Sequence, residues 1–281
     1  MDLESANNET RAAWDANADV WDARMADEGN DFVNLLQWPA IQRMMKADEW
    51  SREMERPMRI LDVACGNGII SRRLGGLGAT VVACDFSKEL LEKAQARTPQ
   101  SLKSRISYLD TDVTDAKALL GILGPHAPFD FVLCNMALFD IADIEPLFKT
   151  LPVLLGSRGA FIFSLTHPCF NTASSVHMIE EIDDEGEIKT IYSIKMSRYM
   201  TPYQAHGLAL RNQPKPQVYF ERPLHYYLNL GFENGLVLDG FEERAFPAGH
   251  PQSNPLMWGG NYSEIPPVLV ARMRLAPGLG V

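Results

Sequence analysis

Cysteine is scarce in this 281-residue chain: there are four, Cys65, Cys84, Cys134 and Cys169, and no CxxC pair. That spacing offers no paired-thiol motif and no metal-ligand set. Three of the four end apolar, strand-like runs, where small buried thiols sit in a reducing, cytoplasmic protein. Basic runs are missing too. With 26 Lys and Arg against 36 Asp and Glu, the net charge is −10. A nucleic-acid partner, which is held largely by cationic contacts to phosphate, is therefore not expected. No apolar run approaches the roughly 20 residues of a bilayer span. The acidic opening MDLESANNET is unlike a secretory leader, so no membrane partner is expected either. Internal repeats and low-complexity tracts are absent.

What is present is an ordinary globular balance, 46% hydrophobic and 22% charged. The first ten residues read as frayed. Residues 11–50 read as two or three helices carrying Trp14, Trp21, Phe32, Trp38 and Trp50. After a polar break from Ser51 to Pro57, apolar runs at Arg59–Ala64, Thr80–Cys84, Ile106–Leu109, Phe129–Cys134 and Ala160–Leu165 alternate with helix-like segments. These helices fall near 69–77, 88–97, 115–122 and 143–155. That rhythm implies an α/β fold, a doubly wound and mostly parallel sheet covered on both faces. Ligands bind such sheets beyond the carboxyl ends of the strands.

The rhythm breaks after Leu165. His177–Ile182 and Ile188–Met196 flank Asp183-Asp-Glu-Gly186 and read as a β-hairpin, and a tract rich in Tyr, Pro and Gln follows. A helix at Leu224–Leu230 and strands at 236–244 and Val268–Arg274 resume the pattern. The expected organisation is a helical lid over 1–55, a nucleotide-binding core over 56–165, an insertion over 166–223 that shapes a pocket, and a return to the core over 224–281.

The stretch Arg59-Ile-Leu-Asp62-Val-Ala64-Cys65-Gly66-Asn67-Gly68-Ile-Ile-Ser71 is a strand running into a glycine turn and a helix. It matches the dinucleotide pattern GxGxxG except for Ser71 in the third place. The charges argue against that ligand. Asp62 and Asp85 end strands one and two, and Asp112 lies just past strand three. Carboxylates there would repel a pyrophosphate, at about 4 kcal/mol for a 4 Å pair at surface-like dielectric. A cationic nucleoside without phosphate suits the pattern better, and S-adenosylmethionine (SAM) is one.

The run Asp62-Val-Ala-Cys-Gly-Asn-Gly68, then Val82-Ala-Cys-Asp85-Phe86-Ser87, Asp110-Thr-Asp112-Val113 and Phe129-Asp-Phe-Val-Leu-Cys-Asn135-Met136, resembles the class I SAM-dependent methyltransferases of small molecules. Ala64 departs from the family's usual first glycine, a small-for-small change. The resemblance covers residues 55–165 well. It extends more loosely to 224–274, through Arg222-Pro-Leu224 and Leu230-Gly-Phe232. It implies a Rossmann-like sheet with an antiparallel last strand, and SAM as cofactor. It further implies that Ala64, Cys65, Gly66, Asn67 and Gly68 pass beside the methionine part, with Asp62 facing it. Asp85 would hold the ribose hydroxyls, Phe86 and Ser87 would lie against the adenosine, and Asp112 and Val113 would meet the adenine edge. Asn135 and Met136 would stand beside the methyl group, and Trp21 would belong to a covering helix.

The acceptor is less legible. His167, just beyond strand five, is the candidate general base, and a turn-capping histidine is its bland counterpart. Tyr199, Tyr203, His206, His225 and Tyr226 are candidate acceptor-site residues, each of which could equally be packing. Strand four reads Cys134-Asn-Met-Ala and lacks the Asp/Asn-Pro-Pro-Tyr/Phe pattern of enzymes that methylate nucleobase amines. The expected reaction is methyl transfer to a small molecule by in-line displacement. A SAM-binding protein without transfer and a nicotinamide-dependent oxidoreductase are the competing readings. Oligomeric state, monomer or homodimer, does not follow from the residues. Simple burial accounts for Cys65, Cys84 and Cys134 better than a soft-metal site does, and no metal is expected.

Overall fold

The computed structural model of the chain describes residues 2–46, 55–123 and 128–277. Trp50 and Ser51 to Met54 lie outside the described residues. The chain opens with α1 (Leu3–Met25), a π-helical turn at Phe32–Gln37 and α2 (Trp38–Met45). The core follows as β1 (Arg59–Val63), α3 (Ile69–Gly76), β2 (Thr80–Asp85), α4 (Lys88–Arg97), β3 (Ile106–Asp110), α5 (Ala116–Gly121), β4 (Phe129–Asn135), α6 (Glu145–Leu154) and β5 (Leu155–Thr166). Two hairpins come next, β6 (Ser175–Asp184) with β7 (Glu187–Met196), and β8 (Tyr203–Gly207) with β9 (Gln217–Glu221). The chain closes with α7 (Leu224–Glu233), β10 (Leu236–Arg244) and β11 (Val268–Leu275).

Seven strands form one sheet in the order β10-β11-β5-β4-β1-β2-β3. β11 runs antiparallel to both its neighbours, and β1 to β5 are parallel. Because side chains alternate along a strand, each strand feeds two cores. Leu61, Val63, Val132 and Phe161 pack with α6 residues Phe148 and Leu151 on one face. Ile60, Phe131 and Ile162 pack with Ile41, Met44 and Leu74 from α2 and α3 on the other. The helices are set by local signals. Ser87 caps α4 by accepting from the Leu90 N–H, and Asp115 caps α5.

Three expectations are corrected. The amino terminus is not frayed: residues 3–10 belong to α1, held by Asn7 and Arg11 on Asp112. Strand five starts at Leu155 and not Ala160, because α6 runs straight into it. A second hairpin, β8–β9, occupies the tract rich in Tyr, Pro and Gln. The first hairpin is longer than its apolar run. Ten-residue arms meet at Glu185 and Gly186, both with positive φ, the turn geometry that matches strand twist.

Candidate active site

A cavity of about 1380 Å³ lies beyond the carboxyl ends of β1, β2 and β4. Its floor is the loop after β1. Ala64, Gly66 and Gly68 all have positive φ (53°, 56° and 75°), which turns the chain sharply away from the sheet. A Cβ on Gly66 would meet nothing within 4 Å, so its backbone is bare toward a ligand. Gly68 serves packing instead. A Cβ there would stand 2.6 Å from the Tyr108 hydroxyl and 2.9 Å from Ala94. Asp85 ties the loop down, accepting from the Gly66 N–H at 2.8 Å and from the Ser87 N–H at 2.9 Å.

Asp62 and Asp85 are both buried on this floor. Asp62 accepts a hydrogen bond from the Ser71 hydroxyl, and no described cation pairs with it. Burial, with Asp85 nearby, pushes its carboxyl up to about 7. Burial also pushes Asp85 up to about 6, against the N–H groups that favour its charge. Burial, with Asp62 nearby, raises the thiols of Cys65, Cys84 and Cys134, so none is a thiolate.

At the end of β4, Asn135 is held on both sides. Its Nδ2 donates to Gln37 Oε1 at 3.1 Å, and its Oδ1 accepts from the Ser164 hydroxyl at 2.8 Å. Ser164 in turn accepts from the Met136 N–H. Met136 has φ 54°, an uncommon conformation for a side-chain-bearing residue, and it faces the cavity. Helix α1 forms the roof. Trp14 and Trp21 sit edge to face at 5.2 Å on the cavity side, as residues two helical turns apart must. The helix is fastened by Asp22 to Arg97 and Asn67, and by Asp15 to Ser87.

The wall under β5 comes from β9. Gln217, Tyr219 and Glu221 alternate along it and face the cavity, while Val218 and Phe220 are buried behind. The Phe220 N–H donates to the Phe139 carbonyl, docking β9 onto the loop after β4. Asp140 on that loop is buried beside Glu221 and lines the same cavity. Its carboxyl lies well above the usual range because of burial and then Glu221, and Glu221 is itself raised by burial.

Of the expected cofactor residues, the cavity gathers Trp21, Asp62, Ala64, Cys65, Gly66, Asn67, Asp85, Phe86, Asn135 and Met136 on its walls. Four others lie off it. Gly68 is a packing glycine, Ser87 is a helix cap, and Val113 is buried in the sheet core. Asp112 accepts from the Thr114 hydroxyl and N–H, from Asn7 and from Arg11, which together hold its carboxyl below the usual range despite burial.

The expected catalytic His167 is also displaced. It is 2% exposed, its Nε2 sits 2.8 Å from Glu243, and its Nδ1 accepts from the Cys169 N–H. Burial outweighs Glu243 and lowers its pKa, so the ring is a neutral structural link between strand ends. Among the acceptor candidates only His206 lines the cavity, paired there with Glu9. Tyr199 accepts from the Leu224 N–H, Tyr203 lies under Arg198, His225 is exposed, and Tyr226 packs against the core that α7 covers. Sequence reading missed Asp140, Gln217, Tyr219 and Glu221. For the three on β9 the signal was the alternation of Gln-Val-Tyr-Phe-Glu, and Asp140 carried none.

Among the described residues, no group of three or more His, Cys, Asp or Glu is placed to hold a metal. No described helix is long and apolar enough to cross a membrane.

Residues 60–159 match a family model described as a methyltransferase domain. The provisionally named methyltransferase YqeM of Bacillus subtilis (strain 168) is 30% identical over 153 residues, 52% of this chain and 58% of that protein. The ubiquinone biosynthesis O-methyltransferase of Actinobacillus pleuropneumoniae serotype 5b (strain L20) is 32% identical over 134 residues, 47% of this chain and 54% of that one. The chain thus spans little more than half the length of these two relatives. An S-adenosylmethionine-dependent methyltransferase from Mesorhizobium loti has the same fold, with a TM-score of 0.59 at 23% identity, covering 85% of this chain and 97% of that one.

Proposed function

From the methyltransferase domain matched over residues 60–159 and the shared fold, we propose that the protein is a class I, SAM-dependent methyltransferase that transfers the methyl group of SAM to a small-molecule acceptor. The observation that carries this is the pair Asp62 and Asp85: two buried carboxyls on the cavity floor, raised to about 7 and about 6, with no described cation paired to either. Leaving such charges unpaired is costly, and a cationic ligand with hydroxyl donors removes the cost. The Asp85 carboxylate, held by the Ser87, Gly66 and Phe86 N–H groups, retains acceptor capacity for ribose hydroxyls. Asp62 would meet the ammonium end, the bare backbone at Gly66 would lie along the ligand, and Phe86 would face the base.

SAM supplies a methyl group already activated on a sulfonium. The chain then has to position an acceptor against it, which is worth on the order of 7–11 kcal/mol in well-oriented systems. Met136 and the braced Asn135 stand where strand-end backbone would guide that approach. α1 acts as a lid and the insertion over 166–223 shapes the acceptor side, a reading supported by the place of the β8–β9 hairpin and of residues 171–173 on the cavity wall. The net charge of −10 supports a small molecule over a nucleic acid, and the free cysteines support a reducing, cytoplasmic setting.

Calorimetry with S-adenosylhomocysteine (SAH) and with NAD is the test. SAH binding with no NAD binding supports the reading, and tight NAD binding overturns it. Formation of SAH from SAM when an acceptor is supplied distinguishes an enzyme from a SAM-binding module.

A further inference from the structure

Two polar atoms on the cavity wall have no use inside the protein. Asp140 is 7% exposed and its Oδ1 has no hydrogen-bond partner, and Gln217 is 2% exposed and its Nε2 has none. Both residues line the cavity, and so does Glu221. We propose that Asp140, Glu221 and Gln217 form the acceptor subsite, and that the acceptor is an amine seated there as its ammonium ion. The assignment rests on the methyl-transfer reading above.

Topology separates this group from the cofactor floor. In the order β5-β4-β1-β2, Asp85 ends β2 on one side of β1, whereas Asp140 follows β4 on the other. The β8–β9 hairpin supplies the rest, with Gln217 and Glu221 on one face of β9. The hydrogen-bond inventory then selects the ligand. The Tyr219 hydroxyl donates to Gln217 Oε1 at 2.9 Å, while Gln217 Nε2 has no partner and offers its hydrogens. The Ala173 N–H donates to Glu221 Oε1 at 2.7 Å, leaving the second oxygen open. What remains is a set of carboxyl acceptors with one amide donor beside them.

An ammonium brings three N–H donors and one positive charge. A hydroxyl brings one donor and no charge, and a carboxylate or phosphate is repelled. The Gln217 amide calls for an oxygen acceptor elsewhere on the same molecule. Among the described residues, no cation forms an ion pair with Asp140 or Glu221. Arg222, next along the chain, donates to the carbonyls of Leu138, Ile141 and Ala142 and forms no ion pair with either acid. Arg24 and Arg211 line the same cavity but are exposed.

This arrangement also handles the proton. As the ammonium docks, the acid pair ionises and its protons pass to solvent. Asp140 then takes one proton from the nitrogen, freeing its lone pair. The N–C bond forms as the C–S bond breaks, the bonding pair stays on sulfur, and the products are SAH and an N-methylammonium ion.

The test titrates SAH-saturated protein with three probes sharing one ring: 2-phenylethylamine, 2-phenylethanol and 3-phenylpropionate. The amine is expected to bind about tenfold or more tighter than the other two. Asp140→Asn and Glu221→Gln should each remove that preference while SAH affinity, which also reports folding, stays unchanged. Normal SAH binding with no amine preference overturns the subsite alone, as does a preference that survives both substitutions. Failure of the wild-type protein to bind SAH overturns the methyl-transfer reading and this assignment with it.

Discussion

Lowering the pH from about 7.5 to about 5.5 is expected to weaken SAH binding about a hundredfold. The reason lies in the floor of the cavity, where burial raises Asp62 to about 7 and Asp85 to about 6. Binding a cation with hydroxyl donors requires both carboxyls ionised. At about pH 5.5 a group of pKa about 7 is ionised in roughly one molecule in thirty, and a group of pKa about 6 in roughly one in four. Their product, set against near-complete ionisation at about pH 7.5, is about one part in a hundred, or about 2.7 kcal/mol. Because each acid raises its neighbour's proton affinity, the profile shows two steps that belong to the pair.

The sign in the free protein is opposite. Both acids hold protons more tightly folded than unfolded, so their contribution falls as pH rises from about 4 to about 7. Asp62→Asn keeps an acceptor for the Ser71 hydroxyl and removes the upper step. It should raise the free protein's Tm at about pH 7.5 by about 3 °C or more while weakening SAH. Calorimetric Kd values for SAH across this window are the assay. A flat profile in folded wild-type protein would refute the reasoning.

Two further outcomes follow from the places of His167 and Gly68 in the fold. His167→Ala should lower stability by about 1–3 kcal/mol in denaturant titrations, because it strands the Cys169 N–H and leaves a hole between strand ends. Its kcat should stay within about threefold of wild type, whereas a loss of about a hundredfold would restore the general-base role. Gly68→Ala should cost roughly 1–3 kcal/mol, since the new Cβ meets the Tyr108 hydroxyl at 2.6 Å in a left-handed backbone. Adding Tyr108→Phe should recover part of that loss. Unchanged thermal melting in the single variant contradicts the packing role.

The strand-helix alternation, the glycine turn after β1 and the two floor carboxylates were legible in the chain itself. Each is a local matter. Periodicity reports whether one or both faces of an element are buried, and a strand ending in Asp before a glycine loop carries its charge wherever the sheet places it. The hairpin over Asp183-Asp-Glu-Gly186 was legible for the same reason, as a turn between two apolar runs.

Contacts distant in sequence decided the rest. His167 looked like a base because it follows a strand that ends at the pocket, yet Glu243 from β10 turns its ring into a structural link. Asp112 looked like an adenine ligand until α1, a hundred residues earlier in the chain, brought Arg11 and Asn7 onto it. Asp140 and Glu221 lie 81 positions apart and share a cavity only because the Phe220 N–H docks β9 on the Phe139 carbonyl. A residue's type and local pattern set which chemistry it can perform. Its partners, burial and hence its charge state are set by which distant segments the fold packs against it.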